Sequence, residues 1–147
     1  MATIMMLKWL YGYRLEEMLR PTNPFKTTTS KESLNTITPG LHDLVKLWEV
    51  CDKYSLPGLQ LCITPHFRRM LVEQLKLDFF NRQAWFAIKE VYASEIEIKE
   101  LRLEITDALH EACTYCELSD AAFEKGLGDQ LRHCPELAIT IAIRYFD

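Results

Sequence analysis

From residue 41 onward, large apolar residues recur at three- and four-residue steps. Leu41, Leu44, Val45, Trp48 and Cys51, continued by Tyr54, are interleaved with Asp43, Lys46, Glu49, Asp52 and Lys53. That spacing lays one apolar stripe along an α-helix, and it predicts a helix over 41–54 started at Pro39-Gly40. After the break at Leu56-Pro57-Gly58, the same stepping continues through Leu59, Cys62, Ile63, Phe67, Met70 and Leu71. Pro65 stands inside that run, where it removes a backbone donor and crowds the preceding turn. The expectation is that Thr64 caps a helix beginning at Pro65, so that this segment is kinked or split.

Two further stripes predict helices over 81–93, with Ala84, Trp85, Ile88, Val91 and Tyr92 inward, and over 97–116, with Ile98, Leu101, Ile105, Ala108, Leu109 and Ala112 inward. The stretch LSDAAFEKGLG reads as a short helix capped by Ser119 and closed by its two glycines. Pro135 opens a last helix to about 146, with Ala138, Ile141, Ala142 and Tyr145 on its stripe. Apart from a few residues near Tyr11 to Leu15, nothing alternates as a strand does. The expected fold is all-α or nearly so, a multi-helix orthogonal bundle.

The first 19 residues differ. Ile4, Met5, Met6, Leu7, Trp9, Leu10 and Tyr11 leave almost no polar face, and a helix apolar all round has to be covered on several sides. Either the helical body covers it or a second chain does, which makes Ile4, Met5, Met6, Trp9, Leu10 and Tyr11 a candidate partner surface. Residues 20–40, RPTNPFKTTTSKESLNTITPG, have the composition of a flexible linker or surface insertion.

Composition narrows the classes. A chain of 147 residues that is 48% hydrophobic and 26% charged is expected to fold as one globular body. Its net charge is −4 and its longest basic run is Arg68-Arg69, so nucleic acid is not an expected partner. Five cysteines, an odd number spread through helical patterns, point to a reducing intracellular compartment. The amino-terminal segment lacks a basic leader and a small-residue cleavage site, in agreement with that placement. Its apolar run is interrupted by Lys8 and falls short of the roughly 20 residues a membrane span needs, so no membrane association is expected.

Chemistry is sparse. His110, Cys113 and Cys116, with His133 and Cys134 further on, offer thiolate and imidazole, the ligands zinc prefers. The first three fall at i, i+3 and i+6 of a predicted helix, whereas Cys-x-x-Cys zinc pairs sit on tight knuckle turns. Cysteines packed in a helical core are therefore the favoured reading, with no metal and no cofactor assigned. A small helical zinc-binding or redox protein using His110, Cys113, Cys116 and Cys134 is the alternative. No serine sits in a glycine-framed nucleophile turn, and no phosphate-cradling loop occurs among five glycines. Glu95, Glu97, Glu100 and Glu104, with Lys99 and Arg102, read as a solvated helix face. The chain reads as a binding module and not as an enzyme.

Taken in order, IMMLKWLYGYRLEEM, the 20–40 insertion and LHDLVKLWEVCDKYSLPGLQLCITPHFRRML resemble the carboxyl-terminal half of a BTB/POZ domain of fungal type. Leu10-Tyr11 stands at the family's Leu-Tyr helix end. Leu47-Trp48, then Cys51-Asp52-Lys53-Tyr54 with Leu56 and Leu59, stand where the family has Val-Tyr-x-x-Ala-Asp-Lys-Tyr and the leucines after it. AWFAIKEVYAS and CPELAITIAIRYF resemble the helical extension that follows. The resemblance implies four parts: an apolar head at 1–19, an insertion at 20–40, BTB-like helices at 41–75 and a helical extension at 76–147. It implies a non-catalytic adaptor or scaffold of the nucleus or cytoplasm whose partner is a protein, with a cullin of the RING ubiquitin ligases as one candidate and self-association as another. Cys51 replaces the family's alanine, and Pro65 interrupts the helix after the motif. The strand-rich amino-terminal half of such a domain is not found in the chain, which is therefore expected to be a truncated domain; a fragment without independent function is a further alternative.

Overall fold

The computed structural model describes residues 2, 4–6, 40–117 and 120–146, with the side chains of 145 and 146 excepted. Among the described residues the fold is all-α, without a strand. Six helices follow one another: α1 (Leu41–Lys53), α2 (Pro57–Leu77), α3 (Arg82–Ala93), α4 (Lys99–Cys116), α5 (Ala121–Arg132) and α6 (Pro135–Phe146). Residues 2 and 4–6 are also helical, and Met5 and Met6 are buried in the main core. The expectations for the strand near Tyr11, for the 20–40 segment and for Ser119 lie outside the described residues.

The first four helices bury most of the stripes that their spacing predicts, with Cys62 and Met70 of α2 only partly covered. Leu44, Val45 and Cys51 of α1, Ala84, Ile88 and Val91 of α3, and Leu101, Ile105, Ala108 and Ala112 of α4 are all fully shielded from solvent. The axis of this core is α2, whose Leu59, Ile63, Phe67, Leu71 and Leu75 face α1, α3 and α4. Cys51 is part of the packing, and burial pushes its thiol up to about 11. Along the α2–α4 seam, Arg68 lies 3.4 Å from Glu104, 3.8 Å from Asp107 and 3.5 Å from Glu111, which also meets Lys76 at 3.3 Å. These pairs are half exposed and set the register of the two helices more than they stabilise it.

The joint between α1 and α2 follows from its residues. Ser55 takes a left-handed conformation at φ 53°, which lets the Leu56 N–H reach back to the Cys51 carbonyl at 2.9 Å and stops α1. Pro57 then begins α2, where its missing N–H would have had no partner. Tyr54, expected to continue the stripe of α1, is instead 54% exposed, because the turn carries it past the core.

Three other expectations are corrected. Pro65 does not split its segment: α2 runs unbroken from Pro57 to Leu77 with Pro65 inside it. Pro65 and Leu61, four residues earlier, both face solvent, so water can reach the carbonyl that Pro65 leaves without a donor. Thr64 is no cap; its hydroxyl donates to the Gln60 carbonyl one turn back at 3.1 Å. For α5 the cap is Asp120, whose Oδ1 accepts from the Phe123 N–H at 2.7 Å, and Gly126 and Gly128 lie within the helix instead of ending it. In α6 the buried line is Cys134 and Leu137, with Ile141 packed against them, while Ala142 of the expected stripe is exposed. That helix is apolar at nearly every position from 137 to 143, so periodicity does not orient it.

The carboxyl-terminal pair is attached differently from the rest. No residue of α5 is fully buried; Phe123 meets Phe79 edge-on at 5.1 Å and Phe80 at 5.9 Å. Polar contacts tie α6 to α4. Arg144 lies 2.6 Å from Asp107 and donates to the hydroxyl of buried Thr106 at 3.0 Å. Arg102 meets Glu136 at 3.0 Å while stacking on the Tyr92 ring at 4.7 Å.

Candidate functional site

Two surfaces stand out against this frame. The first is the outward side of α6. Ile139 is 59% and Ile143 62% exposed, with exposed Ala142 between them on the same side of the helix. Leu103, whose carbonyl accepts from Arg144 at 3.4 Å, adds a further half-exposed side chain on the neighbouring α4. Apolar anchors at i, i+3 and i+4 around a small residue have the form of a helix face that lies in or against a partner helix. Sequence reasoning missed it, although the unbroken apolar run of Leu137 to Ile143, interrupted only by Thr140, exceeds what one buried stripe needs.

The second surface is a groove of about 760 Å³ bounded by the amino ends of α1 and α3 and by α5. Asn81 caps α3 by accepting the Ala84 N–H at 3.0 Å, which fixes the angle at which Arg82, Phe86 and Lys89 leave one side of the helix. At the entrance of α1, Asp43 accepts the Gly40 N–H at 2.9 Å, and His42 is held by Glu90 at 2.7 Å with its ring 5.8 Å from that of Phe86. Phe80 and Trp85 close the far wall; the Trp85 indole donates to the Phe79 carbonyl at 2.7 Å and so cannot turn. The parts of the groove come from residues 40–42, 80–89 and 130, too far apart in the chain for any local pattern to signal them.

The head residues divide. Met5 is 2% and Met6 7% exposed, within the core built by α1–α4, and Ile4 is 57% exposed. Trp9, Leu10 and Tyr11 lie outside the described residues.

The histidine and cysteine candidates are brought together only in part. Cys116 Sγ faces the Lys76 carbonyl at 3.8 Å, and Cys113 with His110 borders a small apolar cavity closed by Leu109, Leu127 and Ile141. Cys134 is buried at the start of α6, and burial raises the thiols of both Cys113 and Cys134. Among the described residues, no group of three or more His, Cys, Asp or Glu is arranged to hold a metal ion. No helix among them is long and apolar enough to cross a membrane.

No family model, no curated protein and no solved structure matches the chain.

Proposed function

We propose that this chain is a non-catalytic protein–protein interaction module, an adaptor or scaffold of BTB-like kind. The observation that carries the proposal is the exposed apolar side of α6, where Ile139, Ala142 and Ile143 face solvent on a helix whose opposite side, Cys134 and Leu137, is already buried. A soluble domain gains nothing in stability from two large aliphatic side chains held side by side in water, whereas a partner helix placed over them removes that surface from solvent. The BTB-like character is supported by the motif that suggested it. Cys51 is packed in the core, Asp52 and Lys53 are solvated at the end of α1, and Leu59 is buried just after the turn. A cullin amino-terminal domain is the partner class this reading favours.

Capture of a purified cullin amino-terminal domain by the wild-type chain and by the double variant Ile139→Glu/Ile143→Glu tests it. Retention by the wild type and its loss in the variant, with an unchanged helical circular-dichroism spectrum, is the expected result. Equal retention by both would remove α6 as the contact. No retention by the wild type, together with a monomeric mass at high concentration, would remove the adaptor reading altogether.

A further inference from the structure

We infer that the groove between α1, α3 and α5 is a docking site for an acidic peptide segment with an aliphatic anchor, supplied by a partner protein. This rests on the interaction-module reading but uses a different surface. The walls supply the anchor site: Phe86 is 56% exposed and Phe80 is half buried, so two aromatic rings face a cavity of about 760 Å³, room for a few side chains. Charge selects the rest of the ligand. Among the described residues, Arg82 and Lys89 line the groove, no carboxylate does, and neither cation makes an ion pair.

That is unusual for this chain, whose net charge is −4 and whose cleft of about 530 Å³ on the other side of His42 and Glu90 is lined by Glu49, Asp52, Glu90 and Glu95 against Lys46 and Lys53. The amino end of α3, which has no acidic residue in its first turn, opens on the groove and adds partial positive charge to it, whereas Asp43 offsets that of α1. Gln130 distinguishes a peptide from a simple anion. It lines the groove, and its Oε1 is buried without a hydrogen-bond donor among the described residues. A small rotation of that amide offers the oxygen to a peptide N–H, a kind of donor that sulfate lacks. Two cations on a chain of this charge are too few to hold a nucleic-acid backbone at physiological salt.

The test uses the full chain and a fluorescent, end-capped nine-residue probe peptide: two central leucines flanked by glutamates. Two controls replace the glutamates by lysine or the leucines by alanine. Saturable binding of the acidic leucine peptide is expected, weakened at least about tenfold by raised salt, by Arg82→Glu/Lys89→Glu and by Phe86→Ala, and also in both control peptides. These side chains are exposed or half buried, and an unchanged thermal midpoint shows that the variants remain folded. Absence of binding up to about 1 mM, equal binding of the lysine peptide, or wild-type affinity in the double variant would each overturn the proposal. So would displacement of the probe by a single-stranded oligonucleotide at equal affinity. The Ile139→Glu/Ile143→Glu variant separates this outcome from the previous one. If it loses the cullin domain while the probe never binds, the groove proposal falls and the module stands. If the probe binds and capture is insensitive to α6, the groove stands and the α6 reading falls.

Discussion

Helices α1–α4 and the pair α5–α6 are built from similar proportions of apolar residues and hold to the molecule in different ways. Each of the first four helices sends six residues fully into a shared core, whereas α5 sends none and α6 is anchored by Leu137 beside Cys134. What fastens the pair is an aromatic corner of Phe79, Phe80 and Phe123 and two partly exposed arginine contacts, Arg144 to Asp107 and Arg102 to Glu136. The first region is therefore expected to unfold as one cooperative unit, and the second to open below that limit. Both proposed surfaces involve the looser region: α6 presents one, and α5 forms a wall of the other.

The largest expected effect lies at the centre of the tight region. Phe67 is wholly buried on α2, and Phe67→Ala leaves a cavity that the surrounding helices can only partly close. A loss of about 3–5 kcal/mol in denaturant-unfolding stability is expected, shared by every probe of structure. A loss confined to α5 and α6 would break the comparison.

Leu137→Ala strikes the anchor of α6 instead. The expected destabilisation is about 2 kcal/mol, at the low end for a buried leucine because α6 can shift toward the space left. The readout is thiol alkylation at pH 8. Cys134 and Cys51 are both buried with thiols raised above their ordinary value, so each reacts only when its surroundings open. The variant is expected to speed labelling of Cys134 and leave Cys51 unchanged. Parallel acceleration of both thiols would mean that the two regions unfold together.

The same division decides what could be read from the chain before the structure was known. In α3 and α4 the polar residues leave a single stripe, and every inward position assigned from spacing, from Ala84 to Ala112, is buried. Where both sides of a helix are apolar, spacing loses its direction. That is why spacing places Ala142 inward and gives no sign of the exposed Ile139 and Ile143. Pro65 signals a break in the sequence because the cost of a missing donor is local, whereas the water that offsets it depends on which side of α2 faces solvent. His110, Cys113 and Cys116 are close in sequence, yet each step of three drifts about 60° around the helix, so that His110 and Cys116 point about 120° apart, and Cys134 arrives on another element altogether.

A smaller effect tests how far polar contacts contribute. Arg144→Ala removes the 2.6 Å pair with Asp107 and the hydrogen bond to Thr106 Oγ1. Both charged partners are about one-third exposed, so a loss of about 1 kcal/mol is expected, reduced by added salt. Hydrogen exchange in α6 should quicken while α1–α3 keep their protection. A salt-independent loss felt throughout the molecule would show that Arg144 supports the core and not the junction alone.

The finest test compares two glycines two residues apart in α5. Glycine inside a helix costs about 1 kcal/mol relative to alanine, chiefly through the freedom that the unfolded chain loses on folding. At Gly128 an added methyl meets nothing within 4 Å, so Gly128→Ala should stabilise α5 by up to about 1 kcal/mol and slow Cys134 alkylation. At Gly126 the same methyl would stand 2.7 Å from Phe80 Cζ, and the ring would have to leave its place against Phe79 and Phe123. Gly126→Ala therefore gains the same helix propensity and spends it on the aromatic corner, and the expected net change is near zero or negative. It should also weaken the groove probe, because Phe80 is one of the groove walls, whereas Gly128→Ala should leave the probe affinity unchanged. Equal stabilisation by both substitutions would show that the aromatic corner yields freely, and that α5 is held by its own helix propensity and not by Phe80.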